Sequence, residues 1–422
     1  MTPERLDVLF VSLFPSSPPT FGAQRRIEGL MRVLGRRHRV AAVSLVSPEF
    51  DAGLAEREMR RWCDEVVLVP ARSDRSPVKR LLQLRALASR RSYEHHAFSD
   101  PALDRALAQV LGARRFDVVC LEAPFLVRHG VRLAPPGAPA PIVIVDQHNV
   151  EHQLARRSRD ASRGLRRLHH AVNWRKIRAD ELDAWRCADG VAFTSVDDAE
   201  QARALVPEIV SAVIPNGVDV DHFRRRPDAP ADRRRAVFFG TLNYFPNQDG
   251  VRFLLSEIWP RIAGAVPEAR LDVVGPHPTA EVLAHRGPRI DVTGPVDDVR
   301  VPLERAGVVV VPLRVGGGTR LKILEAMAMS RPVVSTTIGA EGIAATDGRD
   351  ILIADDPAAF ARAVQRVMED PGLAARLGEG GRALVERRYS WVAVGAELER
   401  FVRALRRAPE LPPGAQAGAE AR

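Results

Sequence analysis

Short apolar runs alternate with amphipathic stretches along the chain, the pattern of parallel sheets flanked by helices in an α/β architecture. In the first half the runs fall at Asp7–Val11, Val40–Val46, Val66–Val69, Val118–Leu121, Ile142–Val145 and Val191–Thr194. The pattern restarts at Ala236–Phe239, Leu271–Val274, Ile290–Val292, Val308–Val311, Val333–Ser335 and Ile351–Ile353. Between the halves lies Ile214-Pro215-Asn216-Gly217-Val218-Asp219, then Arg224-Arg225-Arg226-Pro227 and a polar stretch to Arg235. That turn-rich, charged composition predicts a linker, and with it two Rossmann-like domains facing an interdomain cleft. The domains are expected over residues 1–212 and 213–388. A closing helix over 389–407, with Val394, Leu398, Phe401 and Leu405 on one face, is expected to pack back toward the first domain. The tail, 408–422, has no packing pattern and is expected to be disordered.

The densest chemistry lies between Val308 and Thr336. Val308–Leu313 has the β-branched, apolar character of a central parallel strand, and Gly316, Gly317 and Gly318 let the backbone turn sharply after it. Thr319 is suited to cap the helix that follows, where Leu321, Leu324 and Ala328 repeat at helical spacing. The amides at the start of such a helix attract phosphate. Lys322 and Glu325 share one face, which sets a cation near a diphosphate and a carboxylate where sugar hydroxyls can donate to it. Taken alone, these residues fit an ordinary solvent-facing pair beside a flexible loop equally well.

In open α/β sheets, ligands bind beyond the carboxyl ends of the strands. His148 follows the strand Ile142–Asp146 and so falls on that side, suited to orient a sugar or an acceptor hydroxyl. Asp146 and Asn149 are read as shaping its loop, and Asn216 and Gly217 as shaping the interdomain turn. Gly22 stands where the first strand's loop enters a helix carrying Ile27, Leu30, Met31 and Leu34. A phosphate or acceptor group could approach there beside Arg25 or Arg26, although a plain helix start after a Pro-rich loop explains the same residues.

Composition narrows the class. Hydrophobic residues at 45% and charged residues at 27% exclude a disordered chain, and no apolar run nears the roughly 18 residues that span a bilayer. The start, MTPERLDVLFVSLF, carries Glu4 and Asp7 and reads as a first strand rather than a secretory signal, so a cytoplasmic location is expected. Cys63, Cys120 and Cys187 fit neither a disulfide framework nor a zinc site and are read as reduced core thiols. A net charge of +9 draws the chain toward anionic partners. Two basic amphipathic stretches concentrate it: Val78–Arg91, and Leu154–Arg178 with Leu154, Ala161, Leu165, Leu168 and Val172 at helical spacing. They suit peripheral contact with anionic lipid at the inner face of a membrane, or an ordinary solvated face. Few aromatics and no nucleic-acid module argue against nucleic acid as a partner.

Taken in order, DQHN (Asp146–Asn149), PNGVD (Pro215–Asp219), FFGTLNYFPN (Phe238–Asn247), VVG (Val273–Gly275), VTGPVDD (Val292–Asp298) and GGGTRLKILEAMAMSRPVVSTTIGAEGI (Gly316–Ile343) are similar to a known set. The chain resembles bacterial GT-B glycosyltransferases of the retaining GT4 type. The resemblance implies that the second domain binds a nucleotide-diphosphate sugar and the first its acceptor, a glycan or a lipid-linked molecule in surface polysaccharide or glycolipid synthesis. It sets Arg320 and Lys322 on the diphosphate, Glu325 on the ribose and His148 near the donor sugar. Gly240, Thr241, Val292, Gly294 and the glycine turn would complete the donor site, the backbone of Val292–Val296 reading the base.

The chain also departs from that pattern. Gly317 stands where many relatives have a sugar-binding glutamate, and Gly240-Thr241-Leu242-Asn243 lacks the basic pair many carry after the first strand of the second domain. Arg320 and Lys322 would then carry most of the diphosphate charge. With those cations and the helix amides no metal or other cofactor is expected, and the sequence shows no His/Cys/Asp cluster at ligand spacing. Two rival readings stay open: a nucleotide-sugar epimerase or hydrolase on the same fold, and a non-catalytic basic binding protein.

Overall fold

The computed structural model describes residues 5–71, 77–129, 134–162, 164–226, 231–316 and 319–407. They form two compact units. The first comprises the chain to Phe193, Ala199–Ile214 and the chain from Gly395; the second comprises Thr194–Asp198 and Pro215–Val394. The tail that the sequence reads as disordered lies outside the described residues, as do Gly317 and Gly318.

In the first unit the strands are β1 (Asp7–Ser12), β2 (Arg39–Val46), β3 (Glu65–Pro70), β4 (Val118–Leu121), β5 (Ile142–Gln147), β6 (Gly190–Phe193) and β7 (Ser211–Val213). They pair in parallel in the order β3-β2-β1-β4-β5-β6-β7. The sequence order reverses between β1 and β4, a switch point where loops splay apart and leave room for a ligand. The second unit repeats the plan with β8 (Asp232–Phe239), β9 (Arg270–Val274), β10 (Ile290–Gly294), β11 (Ala306–Val311), β12 (Val333–Ser335) and β13 (Leu352–Ile353). Its order is β10-β9-β8-β11-β12-β13, again parallel, with the switch between β8 and β11. In both units the inner strands are buried on both faces, which explains their continuous valine-rich runs.

Local chemistry starts the helices. Asp100, Asp356 and Asp370 each precede a proline, and each carboxylate accepts from a free amide of the first turn while the proline occupies a position that needs no donor. The helix Trp391–Arg407 lies on the first unit from Gly395 onward: a Cβ added at Gly190 of β6 would sit 2.6 Å from the Phe401 ring and 2.8 Å from Leu405.

Four expectations change. Strand β7 escapes the sequence because it is three half-buried residues at a sheet edge. Strand β8 begins inside the stretch read as a polar linker; Asp232 pairs with Ala306 of β11 and Arg235 with Arg270 of β9, and Arg235 adds an ion pair to Asp272 at 2.6 Å. The basic stretch Leu154–Arg178 is two helices, Glu151–Ala161 and Gly164–Cys187, rather than one. Cys63 and Cys120 are buried, burial pushing the Cys63 thiol up to about 12, but Cys187 is exposed and is no core thiol. Among the described residues no helix is long and apolar enough to cross a membrane.

The Gly190 contact makes a quantitative expectation. Gly190→Ala should lower stability by about 1–3 kcal/mol through overpacking, and adding Phe401→Leu should recover part of that loss. Urea midpoints of the two single variants and the double variant measure it; strict additivity would mean the helix is not seated on β6.

Candidate active site

The second unit gathers its distinctive residues at the carboxyl ends of β8, β9, β10 and β11. Three of these loops meet backbone to backbone. The Gly240 amide donates to the Val274 carbonyl at 3.0 Å, and the Gly275 amide donates to the Gly294 carbonyl at 2.9 Å. A Cβ at Gly275 would lie 1.9 Å from the Gly240 carbonyl oxygen, and Gly275 has φ 151°, so only glycine fits.

Onto this floor reaches Lys322, from the helix Leu321–Ala328. Its Nζ donates to Asn247 Oδ1 at 2.8 Å and lies 4.5 Å over the Phe238 ring. Asn247 in turn donates from Nδ2 to the Thr241 carbonyl at 2.8 Å, which fixes its amide. A Cβ at Gly240 would lie 2.8 Å from Lys322 Nζ, so Gly240 also keeps this channel open. Enclosure of the ammonium, helped by the Arg320 charge and opposed by Glu325, lowers the Lys322 pKa from 10.5 to about 7. The cation is held under-compensated. Asn247 had no role in the sequence reading; its position in the first turn of the helix Phe245–Phe253, just past the loop where the basic pair is missing, was the available signal.

Arg320 is the other cation. Its side chain is 10% exposed, 4.0 Å from Glu341 and against Gly316, where φ is 136° and a Cβ would lie 2.7 Å from its guanidinium. Glu325 is buried on the same helix, so the solvent-facing Lys322–Glu325 pair is not what forms. The expected Thr319 cap does not form either. The helix starts one residue later, with Arg320 at the cap position, and the buried Thr319 hydroxyl has no hydrogen-bond partner among the described residues. In the segment Val292–Val296, the Val292 side chain is fully buried and its carbonyl accepts from Arg286, the Gly294 carbonyl accepts from Gly275, and Val296 is exposed. Thr241 is exposed, its carbonyl engaged by Asn247.

The first unit assembles a second cluster around His148, at the carboxyl end of β5. His148 Nε2 lies 2.7 Å from Glu122 and 3.4 Å from Asp146. Asp146 takes two hydrogen bonds from Arg26, at 2.7 and 2.6 Å, and Arg26 is 2% exposed. Arg26 is therefore committed to a buried ion pair and is not the phosphate donor the sequence suggested, and Asp146 does more than shape its loop. Arg25 and Gly22, at the start of the helix Gly22–Gly35, are exposed.

Burial alone would lower the His148 pKa, but hydrogen bonds and charge from Asp146 and Glu122 raise it to about 9. Burial and the Asp146 charge raise that of Glu122, while Asp146, despite burial, is held low by Arg26. The imidazole is thus a protonated donor on a carboxylate platform. Glu122 came from a strand end that the sequence reading passed over. Folding also builds the ligand-spaced cluster that the sequence lacked: Glu122, Asp146 and His148 offer atoms within 4.8 Å of one another, the spacing of a metal site. Arg26 already faces Asp146 there, and the imidazole faces both acidic side chains. The loop itself is stiff, because Glu181 accepts from Gln147, from the backbone of Glu151 and from both nitrogen donors of His152.

Comparison with known proteins agrees with this geometry. Residues 233–370 match the family model described as glycosyl transferases group 1. A GDP-mannose-dependent alpha-(1-6)-phosphatidylinositol monomannoside mannosyltransferase of Mycolicibacterium smegmatis is 29% identical over 299 residues, 64% of this chain and 76% of that protein. A D-inositol 3-phosphate glycosyltransferase of Xylanimonas cellulosilytica is 30% identical over 226 residues, 47% of this chain and 52% of the other. In fold, sucrose-phosphate synthase from Thermosynechococcus elongatus superposes with TM-score 0.66 at 20% identity, covering 96% of this chain and 100% of that one. Anabaena HepE, solved with UDP and glucose, gives 0.61 at 14% identity and covers 95% and 100%.

The lowered Lys322 pKa has a thermodynamic sign. Between about pH 7 and 10.5 the unfolded chain binds this proton and the folded chain does not, so the unliganded protein gains stability from this group as pH rises. Lys322→Met should flatten that part of the stability–pH curve and be no less stable than wild type at pH 7, as read by urea melts. An unchanged curve would mean that the ammonium is freely solvated.

Proposed function

We propose that this chain, which belongs to the group 1 glycosyltransferases of GT-B fold, is a retaining enzyme that moves a sugar from a nucleotide-diphosphate sugar to a lipid-linked or glycan acceptor. The observation that carries the reading is the convergence of Lys322 and Arg320, at the start of one helix, with Gly240 of the loop after β8 and Asn247 in the first turn of the helix that follows it. A half-neutralised lysine and a buried arginine beside helix amides suit a diphosphate, which supplies the negative charge the site lacks. Glu325 is suited to the ribose hydroxyls. The backbone at Gly294–Val296 is suited to the base.

In the transfer, the bond from the sugar's anomeric carbon to the diphosphate oxygen breaks and its electron pair stays on that oxygen. The acceptor hydroxyl oxygen bonds the same carbon, on the face the diphosphate leaves, and its proton passes to the departing phosphate. Arg320, Lys322 and the helix amides stabilise the charge that develops there. The role is assigned to these cations rather than to a metal. The His148 imidazolium is a hydrogen-bond donor for a sugar or acceptor oxygen. The phosphatidylinositol acceptor in the name of the mycobacterial relative supports a lipid-linked acceptor, as do the basic helices of the first unit, which suit contact with an anionic membrane in glycolipid or surface polysaccharide synthesis.

A melting screen against UDP, GDP, ADP and their sugar conjugates tests the donor site. One nucleotide family should raise the melting temperature by mass action, and Lys322→Ala or Glu325→Ala should weaken its affinity at least about tenfold. A folded wild type that responds to none would overturn the reading. Product formation from nucleotide sugar alone, without an acceptor, would favour an epimerase or hydrolase. Dialysis against EDTA should leave transfer unchanged.

The same site has a pH signature. Binding a diphosphate restores the Lys322 proton, so affinity should be flat below about pH 7 and fall up to tenfold per pH unit above it. Nucleotide titrations by calorimetry in two buffers of different ionisation enthalpy should show proton uptake at pH 8, absent in Lys322→Met.

A further inference from the structure

The first unit holds a cavity of about 790 Å³ that the donor chemistry does not use. It lies between the helices Pro77–Ala88, Tyr93–Phe98, Glu151–Ala161 and Gly164–Cys187, and its volume is that of a small-molecule site. Leu84, Leu87, Leu154, Val172 and Ile177 give it an apolar lining. Leu81, Leu84 and Leu87 are 65, 64 and 60% exposed, on a helix that forgoes its chance to bury them. Isolated exposed leucines are unremarkable, but three spaced three residues apart along a single helix, two of them lining the cavity, make an apolar lip.

Basic residues outnumber acidic ones around this lip. The helix Pro77–Ala88 carries Lys79, Arg80 and Arg85 and no acidic residue. Arg80 and Lys176 line the cavity itself, and Arg156 and Arg175 stand exposed on the facing helices. Glu94 and Glu151 are the acids of the lining. Burial and Glu181 raise the Glu151 pKa to about 7, which reduces its charge near neutrality. An apolar interior under a basic rim is complementary to a molecule with a hydrocarbon chain and an anionic head.

The cavity has a second feature that a general membrane anchor would not need. Glu151, in its wall, is three residues beyond His148, and the loop between them is pinned by Glu181. A chain seated in the cavity would bring whatever is attached to its head toward the His148 loop within the same unit.

We propose that this cavity binds the hydrocarbon chain of the lipid-linked acceptor, its phosphate held at the rim by Arg80 and Lys176. The proposal rests on the lipid-acceptor reading above and specifies where that lipid is recognised. A soluble glycan has no use for the leucine lip. A bulk membrane lipid would need no cavity beside His148.

The test uses the full chain and a dansyl-labelled medium-chain alkyl phosphate below its micellar concentration. Saturable binding with rising dansyl emission is expected. Leu84→Gln with Leu87→Gln, both exposed and so tolerated by the fold, should weaken it at least about tenfold, and Arg80→Gln with Lys176→Gln about three- to tenfold. Glycerol phosphate, which has the head without the chain, should not compete. In both double variants the nucleotide-induced melting shift should persist, so a failure here is separable from failure of the donor site. Equal binding by the leucine variant, or full competition by glycerol phosphate, would overturn the proposal. So would self-association of the chain that buries the lip and excludes the probe, as read by sedimentation.

Discussion

The hydrogen bond from Lys322 to Asn247 is the contact around which the second unit's site is arranged. It joins the helix after β11 to the first turn of the helix after β8, the two strands flanking the switch point of that sheet. An ammonium enclosed there with a neutral amide as its partner is only half stabilised, and its lowered pKa is the measure of what is missing. Gly240 and Gly275 follow from the same constraint. A side chain at Gly240 would occupy the place of Nζ, and one at Gly275 would push the Gly240 backbone away.

The first unit solves the opposite problem. Arg26, Asp146, His148 and Glu122 form a buried array in which each cation faces a carboxylate, so it needs no outside charge to be stable. Such arrays contribute little net stability compared with apolar packing, but they fix geometry because removing any member strands its partner. What the array fixes is the direction of the imidazole and the conformation of its loop. Glu181 reinforces this from a helix on the far side of the loop.

The strands were legible because buried parallel strands are written as β-branched runs, and Val118–Leu121 and Val333–Ser335 fall where the sequence puts them. Polar strand ends were not, since the partners of the Asp232–Arg235 segment, Ala306 and Arg270 on the neighbouring strands with Asp272 beside them, lie far along the chain. The site was half legible for the same reason. Lys322, Glu325, Arg320 and His148 announce themselves by type and position, but Asn247, Glu122 and Glu181 are ordinary residues until folding sets them beside a charge. Arg26 was misread on the same ground: a helix-start arginine looks like a ligand for phosphate unless its buried carboxylate is known.

The departure from the family pattern after β8 makes physical sense. Losing the basic pair after β8 would leave a diphosphate without cations, yet a second lysine added to that loop would face Arg320 across a confined space. Supplying the charge from the helix at Lys322, with Asn247 in the helix after β8 as a neutral anchor, keeps a single ammonium where the loops meet.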